Sequence, residues 1–185
     1  MTSKSLWCVV TGGPASGKKT TLGLIKRMGY TVLSQVAREV IDKGMGKGKT
    51  IEKIRGDEAA FQLSLLSPKL NRERELPRSQ CIFLNTALPD SVAYLRNCGG
   101  DPNEALKLCE RNLYWKVFLL DQPSQFVKDY ARTEDIQTAQ RLNRLIREVY
   151  EYLGYEVISV PLMSRVEKRA EFITSCLIER LGNRR

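Results

Sequence analysis

Five short runs along the chain are almost wholly apolar: residues 6–10, 30–33, 81–84, 117–120 and 157–160. They are rich in β-branched and aromatic side chains and do not alternate with polar ones. Such runs predict strands buried on both faces, as in a parallel sheet covered by helices. Longer amphipathic stretches separate them. The clearest places Ile136, Ala139, Leu142, Ile146, Val149 and Leu153 on one helical stripe, with Arg141, Arg144, Arg147 and Glu151 on other faces. Two helix starts are marked. Asp101-Pro102-Asn103-Glu104 offers an N-cap, a proline at the first helical position and an acid, and Ser164-Arg165-Val166-Glu167 reads as a capping box. Alternating strand and helix units predict a three-layer α/β domain spanning residues 1–185.

Composition narrows the chemistry. The 185 residues contain no histidine, which excludes Ser-His-Asp and Cys-His catalysis and histidine-ligated zinc. Five cysteines without a C-x-x-C spacing argue against a disulfide framework or a metal site and fit a reducing, cytoplasmic compartment. No apolar run approaches the ~18 residues of a membrane span, and the N-terminus shows no cleavage-site pattern, so neither an anchor nor a secretion signal is expected. The net charge is +9, and residues 1–58 hold 11 basic against five acidic side chains. That bias points to an anionic partner. Part of it lies in residues 43–55, where a flexible, solvated basic loop is expected around 44–49. RNA or an acidic surface is an alternative occupant of that stretch. Trp7 and Trp115 each adjoin a strand and are expected to pack the core or its edge.

The most informative segment follows the first strand. Thr11-Gly12-Gly13-Pro14-Ala15-Ser16-Gly17-Lys18 carries the G-x-x-x-x-G-K spacing of a phosphate-binding loop between a strand and a helix. Glycines let backbone N–H groups curl round a phosphate, the helix N-terminus faces the anion, and Lys18 reaches the terminal phosphates. The next residue breaks the rule. A hydroxyl that ligates Mg²⁺ is wanted there, and Lys19 stands in its place. Thr20 is rotated by about 100° along the helix and does not simply substitute. An ammonium near the metal position repels Mg²⁺ and neutralises phosphate oxygens as a built-in cation; the alternative is that Lys19 swings into solvent and water takes the metal's inner shell.

From here the chain resembles the small P-loop ATPase/kinase-like family, catalogued among AAA domains, that includes the ribosylnicotinamide kinase domain. The likeness rests on the loop, on Val36-Ala37-Arg38-Glu39-Val40-Ile41, on Leu88-Pro89-Asp90-Ser91-Val92-Ala93-Tyr94, on Asp129-Tyr130-Ala131-Arg132-Thr133-Glu134, and on Gly154-Tyr155-Glu156-Val157 with Val160-Pro161. It implies a nucleoside-kinase-like P-loop NTPase fold, with a five-stranded parallel sheet and a short helical lid near residues 122–135. It also implies binding of ATP or GTP by Gly12, Gly13, Pro14, Ala15, Ser16, Gly17, Lys18, Lys19, Thr20 and the lid's Arg132. An exposed pair with Asp129 or Glu134 is the other reading of Arg132.

Departures from the family pattern cluster at one place. The family usually has an acid where this chain has Gln35, and an Asp-Arg pair where it has Asn85-Thr86. With Lys19, these changes remove the acids and the hydroxyl that would hold metal or substrate, and they call magnesium binding into question. Asp90 is the one acid nearby; it either serves substrate or caps the helix that begins beside Pro89. The reading that follows is a catalytically degenerate, nucleotide-binding subunit that binds another protein. An active small-molecule kinase of the ribosylnicotinamide type and a basic RNA- or anionic-surface-binding protein are the alternatives.

Overall fold

The computed structural model describes residues 4–109, 113–123 and 135–181. Five parallel strands form one sheet: β1 (Trp7–Thr11), β2 (Thr31–Leu33), β3 (Ile82–Asn85), β4 (Lys116–Leu120) and β5 (Val157–Val160). Their spatial order is β2-β3-β1-β4-β5. The central strand β1 pairs with β3 through Trp7↔Ile82 and with β4 through Cys8↔Lys116. Strand order therefore reverses on either side of β1, and in open α/β sheets ligands bind beyond the carboxyl ends of the strands at such a reversal.

The pleat sends alternate residues of each strand to opposite layers. Trp7, Val9, Ile82, Leu84, Val117 and Leu119 face one core, which is shared with α5 (Leu66–Glu75), α6 (Leu88–Asn97), α7 (Asn103–Leu108) and α8 (Ile136–Tyr152). Cys8, Val10, Phe83, Phe118 and Leu120 face the other, under α1 (Lys18–Arg27) and α9 (Val166–Leu181). The stripe read on α8 is the buried one: Ala139, Leu142, Ile146 and Val149 are all enclosed. Truncating Ile146 to alanine there would cost about 2–5 kcal/mol. A smaller cluster of Val36, Ile41, Phe61 and Leu65 joins α2 (Val36–Met45) to α4 (Glu58–Ser64).

Several expectations need correction. Burial on both faces holds for β1 and for most of β3 and β4, but β2 and β5 are the sheet's edges and are largely half-buried. An edge strand has one neighbour and correspondingly less cover. The basic loop at 44–49 is shorter than expected, because α2 runs through Met45 and α3 (Ile51–Arg55) starts two residues after Lys49. Between them Gly46, Lys47 and Gly48 donate back to Asp42, Gly44 and Met45, closing a tight turn. Arg55 is not solvated: it pairs with Glu58 at 2.8 Å and lies over the Phe61 ring. Asp101 is not the cap residue of α7. Pro102 occupies that position, while Asp101 Oδ1 accepts from the Asn103 amide at 3.0 Å. Trp7 is fully enclosed, with its Nε1 donating to the Pro77 carbonyl. The lid segment from 124 to 134, with Arg132, Asp129 and Glu134, lies outside the described residues. Among the described residues no helix is long and apolar enough to cross a membrane.

Candidate functional site

The loop of residues 12–17 leaves the carboxyl end of β1 and enters α1. Gly17 is the cap residue of α1 with φ +89°, in the left-handed region that glycine tolerates without strain. No side chain caps α1, so its first-turn N–H groups face outward at the positive end of the helix dipole. Gly13 is required for space. A Cβ there would lie 2.4 Å from the Ala139 carbonyl of α8. Ala15 also adopts a left-handed conformation, φ +60°, and as a non-glycine residue it holds some strain.

Three partners fasten this loop, and none of them is legible from the loop's own sequence. Asn143 of α8 accepts from the Gly13 amide at 2.9 Å. Gln122 donates to the Pro14 carbonyl. Arg169 of α9, only 5% exposed, donates to the carbonyls of Ser16 (2.8 Å), Asp121 (3.0 Å) and Pro161 (2.8 Å). Burial lowers the affinity of the Arg169 guanidinium for its proton, and the Asp121 carboxylate opposes that shift. A guanidinium remains charged in such surroundings. It thus places a fixed positive charge behind the loop as well as a clamp.

Lys18 lies across the loop. Its Nζ donates to the Gly12 carbonyl at 2.7 Å, the Gly13 carbonyl at 2.9 Å and Ser16 Oγ at 3.3 Å. Lys19 and Thr20 are exposed on the first turn of α1, while Thr21 is buried with its hydroxyl unpartnered. The three departures from the family pattern converge here. Gln35 opens α2 without a side-chain capping bond, and Asn85 ends β3. Both line one cavity between α1 and α2 together with Lys18, Lys19, Lys26 and Arg38. Asn85 Oδ1 is buried there and has no hydrogen-bond partner. Thr86 follows with φ +65°, an outlier for a β-branched residue.

A second cavity opens on the other side of Lys18 and Gln35, lined by Arg38, Gln62, Lys69 and Asp90 among others. Its floor is a buried polar network. Asp90, 1% exposed, accepts from the Thr11 hydroxyl, from the Ala87 amide at 2.8 Å and from the Tyr150 hydroxyl at 2.7 Å. The bond to Ala87 is that of an acid reaching back to the start of its own helix. Asp90 is therefore held by structural partners, although its position also borders the cavity. Lys69, 6% exposed, donates to the Ala87 carbonyl and to Ser91 Oγ, and Glu73 accepts from the Tyr114 hydroxyl. Burial pushes the Lys69 ammonium below the ordinary lysine range, against the pull of Asp90 and Glu73. Burial likewise pushes the Tyr114 and Tyr150 hydroxyls well above the tyrosine range, reinforced by the carboxylates of Glu73 and Asp90 respectively.

The cavity between α1 and α2 sets Lys18, Lys19, Lys26, Arg38 and the amides of Gln35 and Asn85 beside two acids, Glu39 and Asp42. Hard cations want carboxylate and hydroxyl oxygens. Here an ammonium and two amides stand at the corresponding positions. Glu39, the nearest acid of the family motif, accepts from Arg72 and from Ser34. Burial alone would raise its carboxyl pKa, but these two bonds outweigh it and hold the carboxyl below the usual glutamate range. Among the described residues no cluster of three metal-ligating side chains is present.

A strand-loop-helix phosphate cradle at the reversal of a five-stranded parallel sheet defines a P-loop kinase-like protein. The AAA domain family model matches residues 7–169, and the chain belongs to that family. No curated protein matches the sequence. Among solved structures it is similar to deoxyadenosine kinase from M. mycoides with dCMP and dCDP, at TM-score 0.67 and 13% identity over 94% of this chain and 99% of that one. It is similar to thymidylate kinase from Ehrlichia chaffeensis at TM-score 0.65 and 11% identity over 95% and 100%. It also resembles the NadR protein in complex with NR, at TM-score 0.65 and 12% identity over 94% of this chain. The chain spans about 50% of NadR.

Proposed function

We propose that the protein binds ATP or GTP through residues 12–19 without turning it over, and acts as a regulatory or structural subunit that binds another protein. One observation carries the reading: an intact phosphate cradle is flanked by Gln35 and Asn85, neutral amides, where the family has acids. Phosphoryl transfer depends almost wholly on positioning and on charge neutralisation. Losing one preorganised electrostatic contact costs roughly 10²–10³ in rate. Two such losses with a third at Lys19 leave a binding site rather than a catalyst. In this reading Lys18 and the first-turn amides of α1 hold the polyphosphate. Arg169, Asn143 and Gln122 keep the loop in shape.

Titration with ATP and GTP, for the wild type and for Lys18→Ala, tests it. Saturable binding that is lost in Lys18→Ala supports the reading. Absence of binding, or binding indifferent to Lys18, contradicts it.

The second cavity favours another reading, an ATP-dependent small-molecule kinase. Gln62, Lys69, Asp90 and Tyr94 border a space beside Lys18 where an acceptor would sit, and the similar NadR structure holds NR. A phosphorylated product from any nucleoside would decide for this alternative.

A further inference from the structure

Two of the polar groups without partners near the phosphate loop, on Lys19 and Asn85, are complementary, beside the unpartnered Thr21 Oγ1 and Gln122 Oε1. Among the described residues Lys19 makes no hydrogen bond or ion pair, although it stands on the turn of α1 that faces the site. Asn85 lines the same cavity, and its Oδ1 is buried and accepts no bond. A buried acceptor without a donor is costly, by about 1–3 kcal/mol, and in a native protein calls for an explanation. Lys19 has three donors and a flexible four-carbon stem. With one N–H on Asn85 Oδ1 and the others on phosphate oxygens, it would form the bridge that a metal ion forms between an acid and a phosphate.

We propose that the preferred ligand of this site is the metal-free nucleoside triphosphate, with the Lys19 ammonium standing in for the magnesium ion. The inference rests on the nucleotide-binding reading above and adds the ionic form of the ligand. The charges agree with it. An ammonium on the first turn repels Mg²⁺ and attracts the bare triphosphate, and Lys18, Lys26 and Arg38 border the same cavity against two acids, Glu39 and Asp42, so that its lining stays net positive. A neutral amide at Asn85 accepts from an ammonium without holding a divalent ion as a carboxylate does.

Isothermal titration of the full chain with ATP, in excess EDTA and then in excess MgCl₂, tests the proposal. A single charge-assisted hydrogen bond is worth about tenfold in affinity or more. ATP in EDTA should therefore bind at least about tenfold tighter than ATP with Mg²⁺. Lys19→Met should lose most of that difference, and Lys19→Thr combined with Asn85→Asp should reverse it. Lys19 is exposed, so Lys19→Met should keep the wild-type melting temperature, and a melting curve run alongside checks that it folds. Equal or tighter binding by the magnesium complex in the wild type overturns the proposal and leaves the nucleotide-binding reading standing. Failure of ATP and GTP to bind under either condition overturns both.

Discussion

Arg169 and Ser16 stand 153 residues apart in sequence, yet the Arg169 guanidinium donates to the Ser16 carbonyl at 2.8 Å and ties α9 to the phosphate loop. The same side chain also satisfies carbonyls at the ends of β4 and β5. Replacing it by alanine strands several acceptors, each worth about 1–3 kcal/mol when buried without a donor. Arg169→Ala is expected to lose about 3 kcal/mol or more. For a chain of this size that lowers the melting temperature by roughly 6–12 °C. Arg169→Lys should recover only part of it, because one ammonium does not reproduce the planar fork. Thermal unfolding of the three proteins checks the order.

Gly13 is closed against α8, with no room for a methyl group. Overpacking of this kind costs typically about 1–3 kcal/mol, and here the loop is the part that must move. Gly13→Ala is expected to weaken ATP binding by about tenfold or more, while circular dichroism at low temperature stays that of the wild type. Nucleotide titration with a parallel spectrum separates the two effects.

The buried Lys69 gives stability a distinctive pH dependence. Its proton is held less tightly in the folded protein than at the ordinary lysine value of 10.5. Over that window the unfolded chain binds more protons, so stability rises as pH increases towards 10.5. Above about pH 10 the sign reverses, because Tyr114 and Tyr150 keep their protons in the folded state longer than in the unfolded one. Urea unfolding from pH 7 to 11 should therefore show a rise and then a fall. Lys69→Met is expected to be less stable at neutral pH and to lack the rise.

Thr86 holds a left-handed conformation at the end of β3, fixed by its amide donating to the Val10 carbonyl at 3.2 Å. Strain of this type costs about 1–3 kcal/mol, while glycine's extra freedom in the unfolded chain costs roughly 0.5–1 kcal/mol. Thr86→Gly should therefore stabilise the protein by about 1 kcal/mol, as measured by a higher urea midpoint at unchanged slope.

The strands are legible in the sequence as continuous apolar runs and α8 as a helical apolar stripe, although the runs do not reveal that β2 and β5 are half-buried edges. The phosphate loop is legible because Gly12, Gly17 and Lys18 keep a fixed spacing. Lys69, Asn143 and Arg169 are not legible for the opposite reason. Each is a polar residue on an amphipathic helix, where a solvated side chain is the ordinary reading. Their partners come from segments distant in sequence: the Gly13 amide for Asn143, the Ala87 carbonyl and Ser91 hydroxyl for Lys69, and strand-end and loop carbonyls for Arg169. Arg169 in particular meets residues 16 and 121 only after the sheet has closed. Asp90 admits two readings in the sequence, and its bonds to Ala87, Thr11 and Tyr150 account for it as a structural residue. The stretch 43–55 reads as loop because its glycines and lysines mask the short apolar packing of Ile51 and Ile54 against the α2–α4 cluster.

The central claim is that this cradle holds a nucleotide and does not transfer its phosphate. The direct test follows labelled γ-phosphate from ATP in the presence of Mg²⁺, across a panel of nucleosides and nucleoside monophosphates, at protein concentrations where ATP is bound. The account predicts turnover below about 10⁻² s⁻¹ with every acceptor, against the ~1–100 s⁻¹ typical of kinases. Turnover near ~1 s⁻¹ with any one of them would contradict it.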